Sequence, residues 1–225
     1  MYSYTCNNCG YIFSTEEEFH KHNKRAHSDR YCTECRLKPF GTANDLNIHL
    51  SKSAVHNERI FACPGFPCER LFITRSDLVM HLEYGSCCSG IGRDRLNCII
   101  ACVDDGGEIT LEYDEANYYY YYSDIGEGKL WETWNGYCFE CPECNKSWLS
   151  VHGVTAHIRC FAHAPNRYCC PAKHGGCDKQ FKAFSGLLAH LEMTDCGLRR
   201  YFKKRVLSTI FNDVAGHIES VTRRR

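Results

Sequence analysis

Between Cys141 and Cys196, cysteines and histidines recur at intervals that suit one tetrahedral metal ion after another. Cys141 and Cys144 flank two residues, twelve separate Cys144 from His157, and five separate His157 from His163. Cys170 and Cys177 open a second set, with twelve residues to His190 and five more to Cys196. Thiolate and imidazole are the donors zinc prefers, and it takes four of them in a tetrahedron. A site closed by four protein ligands keeps no position for water or substrate, so the chemistry implied is structural rather than catalytic. No carboxylate pair in a catalytic motif and no phosphate-cradling glycine loop accompanies these sets, and the chain is expected not to be an enzyme.

Three more sets lie earlier: Cys6, Cys9, His22 and His27; Cys32, Cys35, His49 and His56; Cys63, Cys68, His81 and Cys87. Five structural zinc ions are therefore expected. In the second set thirteen residues separate Cys35 from His49 and six separate the histidines, each one more than the commonest value, so its helix should loosen before His56. Cys88 rivals Cys87, and Cys169 rivals Cys170. Cys87 is preferred because it follows its helical histidine at the same interval as Cys196 follows His190. Cys138 competes with Cys144 as partner of Cys141, but only Cys144 places Trp148 and His157 at standard distances. Cys98, Cys102 and Cys160 lie outside the sets, His20, His152, His174 and His217 read as surface or packing residues, and a sixth site built from these leftovers is not expected.

A hairpin must carry the first two ligands of each set and a helix the last two. The apolar residues agree: Phe13 and Phe19, Phe40 and Leu46, Phe72 and Leu78, Trp148 and Val154, and Phe181 and Leu187 stand at matching distances from the ligands. Ligand and core positions together resemble the ββα zinc fingers of the C2H2 family over most of the chain. The resemblance implies a small zinc-stabilised α+β protein of five tandem ββα fingers, C2H2 and C2HC, followed by an amphipathic C-terminal helix. A unit of under about thirty residues buries too little apolar surface to fold alone, so the metal supplies much of its stability.

The expected divisions are fingers at 1–30, 31–60 and 61–88, an acidic Tyr-rich linker with a small ordered cap at 89–136, fingers at 137–166 and 167–197, and a basic amphipathic helix at 198–225. The ligands of fingers two and three recur in fingers four and five at offsets of 107 to 109, so one tandem pair repeats the other. In the linker, 91–103 has helical spacing, 104–107 signals a turn, and Ile109, Leu111 and Tyr113 alternate like a strand. Tyr118 to Tyr122 form a run that reads as solvated linker or as a partner-binding patch. In the last stretch Phe202, Val206, Ile210, Val214, His217 and Val221 make a stripe that should dock on finger five or face a partner.

Formal net charge is zero, which gives bulk electrostatics no say for nucleic acid. The start has no apolar signal core and no apolar run is long enough for a bilayer. The protein is expected to be nuclear, otherwise cytoplasmic, not secreted and not in a membrane, with no small-molecule substrate. Fingers that read DNA use the residue before the helix and helix positions three and six. Those positions are Thr15, Glu18 and Lys21; Thr42, Asp45 and Ile48; Thr74, Asp77 and Met80; Ser150, Gly153 and Ala156; and Ala183, Gly186 and Ala189. None is Arg, Asn or Gln, the makers of bidentate base contacts. A nucleic-acid-associated regulator that does not read bases, a protein-interaction scaffold and a double-stranded RNA binder all remain open. The paired fingers, the HLE-x3-C endings and SGIGRDRLNCII at 89–100 also resemble a group of multi-finger proteins from filamentous fungi, over roughly 31–225.

Overall fold

The structure, a computed structural model, describes residues 3–36, 39–111, 133–141, 144–159 and 163–224. The tyrosine run and Tyr113 lie outside these residues. The chain divides into two compact units, one of Met1–Cys63 with Glu69–Leu78, the other of Pro64–Cys68 with Val79–Arg225.

The first unit opens with a hairpin of β1 (Tyr4–Thr5) and β2 (Ile12–Phe13) and the helix α1 (Glu16–Ala26). Thr15 caps α1 by accepting the Glu18 N–H, and Glu16, Glu17 and Glu18 place negative charge at the positive helix end. The next helix, α2 (Ala43–Lys52), starts in a reciprocal capping box between Thr42 and Asp45. Among the described residues no strand pair precedes it, so the second module departs from the expected ββα form. Phe40 N–H to the Arg30 carbonyl, 2.8 Å, stands in for the hairpin. A second hairpin, β3 (Phe61–Ala62) with β4 (Leu71–Phe72), leads into α3 (Arg75–Glu83). Among the contacts that tie these pieces together, Tyr31, buried, meets His20 Nδ1 at 2.6 Å, Arg36 pairs with Glu17 at 3.8 Å, and Lys52 pairs with Asp77 at 2.8 Å.

In the second unit α4 (Arg93–Val103) ends at Asp104, whose carboxylate is buried. That carboxylate accepts the N–H groups of Glu108, Ile109 and Thr110 at 3.1, 3.0 and 2.9 Å and the Thr110 hydroxyl at 2.7 Å. Four donors on one buried carboxylate fix the turn and aim residues 109–111 along the next hairpin but one. A hairpin of β5 (Phe139–Glu140) and β6 (Ser147–Trp148) with α5 (Val151–Arg159) follows, its small core made by Phe139, Cys141 and Val154 with Trp148 and Val151. Then come β7 (Tyr168–Cys169), a 3₁₀ turn at Ala172–His174, β8 (Gln180–Phe181) and α6 (Phe184–Met193). Residues 109–111 lie antiparallel along β7 as a single bridge at Thr110 and Tyr168, with Cys169 N–H to the Ile109 carbonyl and Leu111 N–H to the Arg167 carbonyl at 2.9 and 2.8 Å.

The chain closes with α7 (Arg200–Lys204), a wide π turn at Arg205–Ile210 and α8 (Phe211–Thr222). Phe202, Val206, Ile210, Val214 and Ile218 are buried at steps of four, joined by Phe211 and Thr222. An α-helix turns about 100° per residue, so a four-residue repeat drifts by about 40° at each step. The π turn, with its i→i+5 bonding, absorbs part of that drift and keeps the stripe on the core. His217 is exposed and Val221 half-buried, so the stripe runs beside them rather than through them. Nor does the helix end its docking on the fifth module. Phe202 stacks on His174 there, with ring centroids 3.9 Å apart, but α8 packs along α4 and Thr222 Oγ1 accepts the Phe66 N–H of the third module's loop at 3.1 Å. Among the described residues no helix is long and apolar enough to cross a membrane.

Candidate metal centres

Each module holds its ligands by the same local device. The first cysteine sits at the end of a strand or turn, buried, and the helix presents a histidine toward it. Cys6, Cys32, Cys63, Cys141 and Cys170 are all buried. The aromatic ahead of the helix lies against the first histidine: Phe13 on His22 and Phe40 on His49, both at 4.8 Å, Trp148 on His157 at 4.3 Å, and Phe181 on His190 at 5.2 Å. The helix core residues Phe19, Leu46, Leu78, Val154 and Leu187 are buried beneath. Ligand and core residues thus fix one another.

The twenty residues singled out by spacing come together as five groups: Cys6, Cys9, His22 and His27; Cys32, Cys35, His49 and His56; Cys63, Cys68, His81 and Cys87; Cys141, Cys144, His157 and His163; and Cys170, Cys177, His190 and Cys196. Within each group the donor atoms lie within 4.8 Å of one another. Cys6 Sγ is 3.3 Å from His27 Nε2, and Cys9 Sγ 3.2 Å from His22 Nε2. His56 Nε2 stands 3.3, 3.2 and 3.1 Å from Cys32 Sγ, Cys35 Sγ and His49 Nε2. In the fourth group the two Nε2 atoms face each other at 2.9 Å. Zinc bonds of about 2.0 Å to nitrogen and 2.3 Å to sulfur imply tetrahedral edges of about 3.3 to 3.8 Å, close to these separations. Cys87 and Cys170, rather than Cys88 and Cys169, join the groups.

The tautomers support the same reading. His56 Nδ1 is 2.8 Å from Glu34 Oε2, so its proton faces the carboxylate and its Nε2 lone pair faces the cysteines. Ser86 Oγ donates to the His81 carbonyl and lies 3.0 Å from His81 Nδ1. Thr194 Oγ1 donates to the His190 carbonyl and lies 3.0 Å from His190 Nδ1. A hydroxyl whose only proton is spent on a carbonyl must accept, so each ring carries its proton on Nδ1 and offers Nε2. Lone pairs turned toward thiols, and toward one another, call for a shared cation. Electrostatics agree. Burial, with Cys196 and Cys177 close by, pushes the Cys170 thiol up to about 12 when no cation is present. Burial likewise lowers the proton affinity of His22, His157 and His190. The residues fit zinc, which would supply charge neutralisation and a crosslink between hairpin and helix.

Glu34, Ser86 and Thr194 were not singled out by spacing. A hydroxyl inside the interval between helical histidine and final cysteine is the signal that could have marked the last two.

Residues 4–27 match the family model described as Zinc finger, C2H2 type. The chain contains a C2H2 zinc finger. With that finger and four further Cys/His groups of like geometry, it is a zinc-binding protein. No curated protein and no solved structure matches the chain, so the wider likeness to fungal multi-finger proteins rests on the sequence motifs alone.

Many of the positions a zinc finger uses to read bases are engaged otherwise, although Ile48 and Met80 stay exposed. Thr15, Thr42, Thr74 and Ser150 accept helix N–H groups from Glu18, Asp45, Asp77 and Gly153. Asp45 closes its capping box, and Asp77 pairs with Lys52. Gly153 and Gly186 lie under Trp148 and Phe181. At the fifth module the start of α6 is covered: Ala183, Phe184 and Ser185 are buried, and Glu83 Oε1 accepts the Phe184 and Ser185 N–H groups at 2.8 and 3.4 Å.

Proposed function

We propose that the protein is a five-finger zinc protein and a nuclear, nucleic-acid-associated regulator, its zinc ions structural, that grips phosphate backbone without reading bases. The observation that carries this is the charge of the fifth module and α7. Residues 167–205 hold nine Lys or Arg against Asp178, Glu192 and Asp195 in a chain of zero net charge. Lys173, Lys179, Lys182, Arg199, Arg200 and Lys204 are exposed. Burial first, and then the charges of Lys179 and Lys203, lower the proton affinity of His190, so these two lysines stand near the fifth centre. Phosphate contacts position a protein on nucleic acid without sequence information, which suits helix positions already spent on caps.

Zinc-loaded protein is titrated with duplex DNA, duplex RNA and single strands across a salt series, with chelated protein as control. The expected result is zinc-dependent binding that weakens steeply with salt. Replacing Lys179 and Arg200 by Glu should flatten the log–log salt slope by about two. Absence of binding at low salt, or an unchanged slope in the double variant, refutes the reading.

A second reading, a protein-interaction scaffold, is favoured by one surface. Ile60 and Leu71, on the face of the β3–β4 hairpin opposite Phe61 and Phe72, are 65 % and 49 % exposed. An apolar outer face is unneeded by the finger itself. If nucleic acid fails to bind, Ile60→Lys with Leu71→Lys should abolish partner capture, and retained capture sinks this second reading.

A further inference from the structure

In α1 the residue that follows the first ligand histidine is Asn23. The corresponding residues of the other four modules are Leu50, Leu82, Ile158 and Leu191, all apolar. Asn23 is nevertheless fully buried, as is Cys6, the first cysteine of its centre. Asparagine disfavours helix interiors, and sinking its amide gives up bonds to water that an apolar residue never had. Neither the helix nor the core asks for an amide here.

The amide faces the centre. Cys6 Sγ donates to Asn23 Oδ1 at 3.7 Å, while Asn23 Nδ2 has no hydrogen-bond partner among the described residues. A buried amide donor is rarely left unmade, so an acceptor is called for. A cysteine that holds zinc has given up its proton. Its sulfur can then only accept, and a carbonyl oxygen opposite it repels. Half a turn about the last side-chain torsion exchanges the two ends of the amide with almost no change of shape. It brings Nδ2 to the thiolate and removes both faults at once. The oxygen takes the other place, where a carbonyl without a partner is tolerated more readily than an N–H.

We infer that Asn23 donates an N–H···S hydrogen bond to the Cys6 thiolate and thereby strengthens zinc binding at the first centre. It is a positioning residue, and it rests on the reading of Cys6, Cys9, His22 and His27 as zinc ligands. Cys9 is exposed and can accept from water, whereas buried Cys6 depends on donors of the protein. The hairpin already holds the Cys6 backbone, through its N–H to the Tyr11 carbonyl at 2.8 Å and its carbonyl to the Gly10 N–H at 2.7 Å. Asn23 holds the sulfur from the helix side and spreads its charge, which orients a ligand and tunes its affinity for the metal. Leucine or isoleucine at the same place in the other modules cannot.

The test is full-length, isotope-labelled protein loaded with the spin-half cadmium isotope in place of zinc. Scalar coupling passes from the metal through sulfur to a hydrogen-bonded proton. The expected result is a correlation between one Asn23 side-chain amide proton and the cadmium that also couples to the Cys6 β-protons. A cadmium coupled to Cys6 but not to the Asn23 amide overturns this inference alone. If no cadmium couples to Cys6, the zinc reading of the centre falls with it. Two variants add an affinity. Asn23→Asp keeps the shape and replaces the donor by a carboxylate oxygen, while Asn23→Leu copies the other modules. In each, a chelator should withdraw the metal of the first centre at least about tenfold more readily, with alkylation of Cys6 and Cys9 locating the loss. An amide of merely structural value would be improved on by leucine, so zinc held by Asn23→Leu as firmly as by the unchanged protein overturns the inference.

Discussion

Glu83, in the last turn of α3, accepts hydrogen bonds from Phe184 and Ser185 at the first turn of α6, 101 and 102 residues away. The Ser185 hydroxyl adds a third bond. These residues belong to the third and fifth modules, which occupy equivalent places in the two tandem pairs. This joint thus links corresponding members of the repeat, not neighbours in sequence. It also uses up the donors of a helix N-terminus, the feature that otherwise attracts phosphate.

Burial raises the pKa of the Glu83 carboxyl, while Ser185, Phe184 and Arg93 act to hold it ionised. Glu83→Ala would strand two buried N–H groups and a hydroxyl, at a cost of about 3 kcal/mol. Urea unfolding of the zinc-loaded protein should show it as a lower midpoint. A change below about 0.5 kcal/mol would mean that water replaces the carboxylate and the joint is dispensable.

The fourth and fifth modules should respond differently to loss of a ligand. Module four has its own small core around Phe139, Cys141 and Val154, whereas α6 buries Phe184, Leu187, Leu188 and Leu191 in the core of the unit. Cys141→Ser should cost one zinc and leave amide exchange at 200–222 unchanged. Cys170→Ser should cost one zinc and speed that exchange at least about tenfold. Equal effects in the two variants would contradict the division.

Phe202 is fully buried and stacked on His174, which also meets Glu108 Oε1 at 3.1 Å while Arg205 reaches Glu108 Oε2. Phe202→Ala should destabilise the unit by about 3 to 5 kcal/mol, and His174→Ala by less, since its ring is replaced in part by water. The order of these two variants in denaturant midpoints is the check. Reversal would make the Glu108 cluster, not the aromatic stack, the anchor of the C-terminal helix.

The ligand groups were legible because a hairpin and helix place their donors by local geometry alone, and Cys144 to His157 is a distance within one module. Residues of the long-range joints carried no such mark. Glu83 sits in HLE as Glu192 does, yet only the fold shows what it faces. Asp104 reads as a turn signal, although it also aims Ile109 at β7. Among the described residues no strand pair precedes the helix of the second module, whose interval from Cys35 to His49 is one residue longer than in the others. Its long final interval resolves as a helix that stops at Lys52, with Ser53 extended and His56 carried by the following turn. The π turn is written in the four-residue repeat of Phe202, Val206 and Ile210, a period neither strand nor ideal helix uses.

Zinc uptake should be coupled to protons in a way that counts the centres. Twelve cysteines contribute to the five groups, and each must lose its proton to bind. At pH 7 an unperturbed thiol is protonated, and Cys170 more firmly so with its pKa near about 12, so full loading should release close to twelve protons. In acid the histidines matter. His22, His157 and His190 have folded-state pKa values depressed below the ordinary value of about 6.5, chiefly by burial. A depressed value means the folded chain binds the proton less tightly than the unfolded chain. Their contribution to stability is therefore present above about pH 6.5 and is lost as pH falls through the depressed values. Chelator-detected zinc release should begin below that point and steepen with acid, while calorimetric loading in buffers of different ionisation enthalpy gives the proton count. Release that ignores pH between about 7 and 5 would contradict the histidines as ligands, and a count near six would mean that half the thiols are not ligands and that the five-centre reading is wrong.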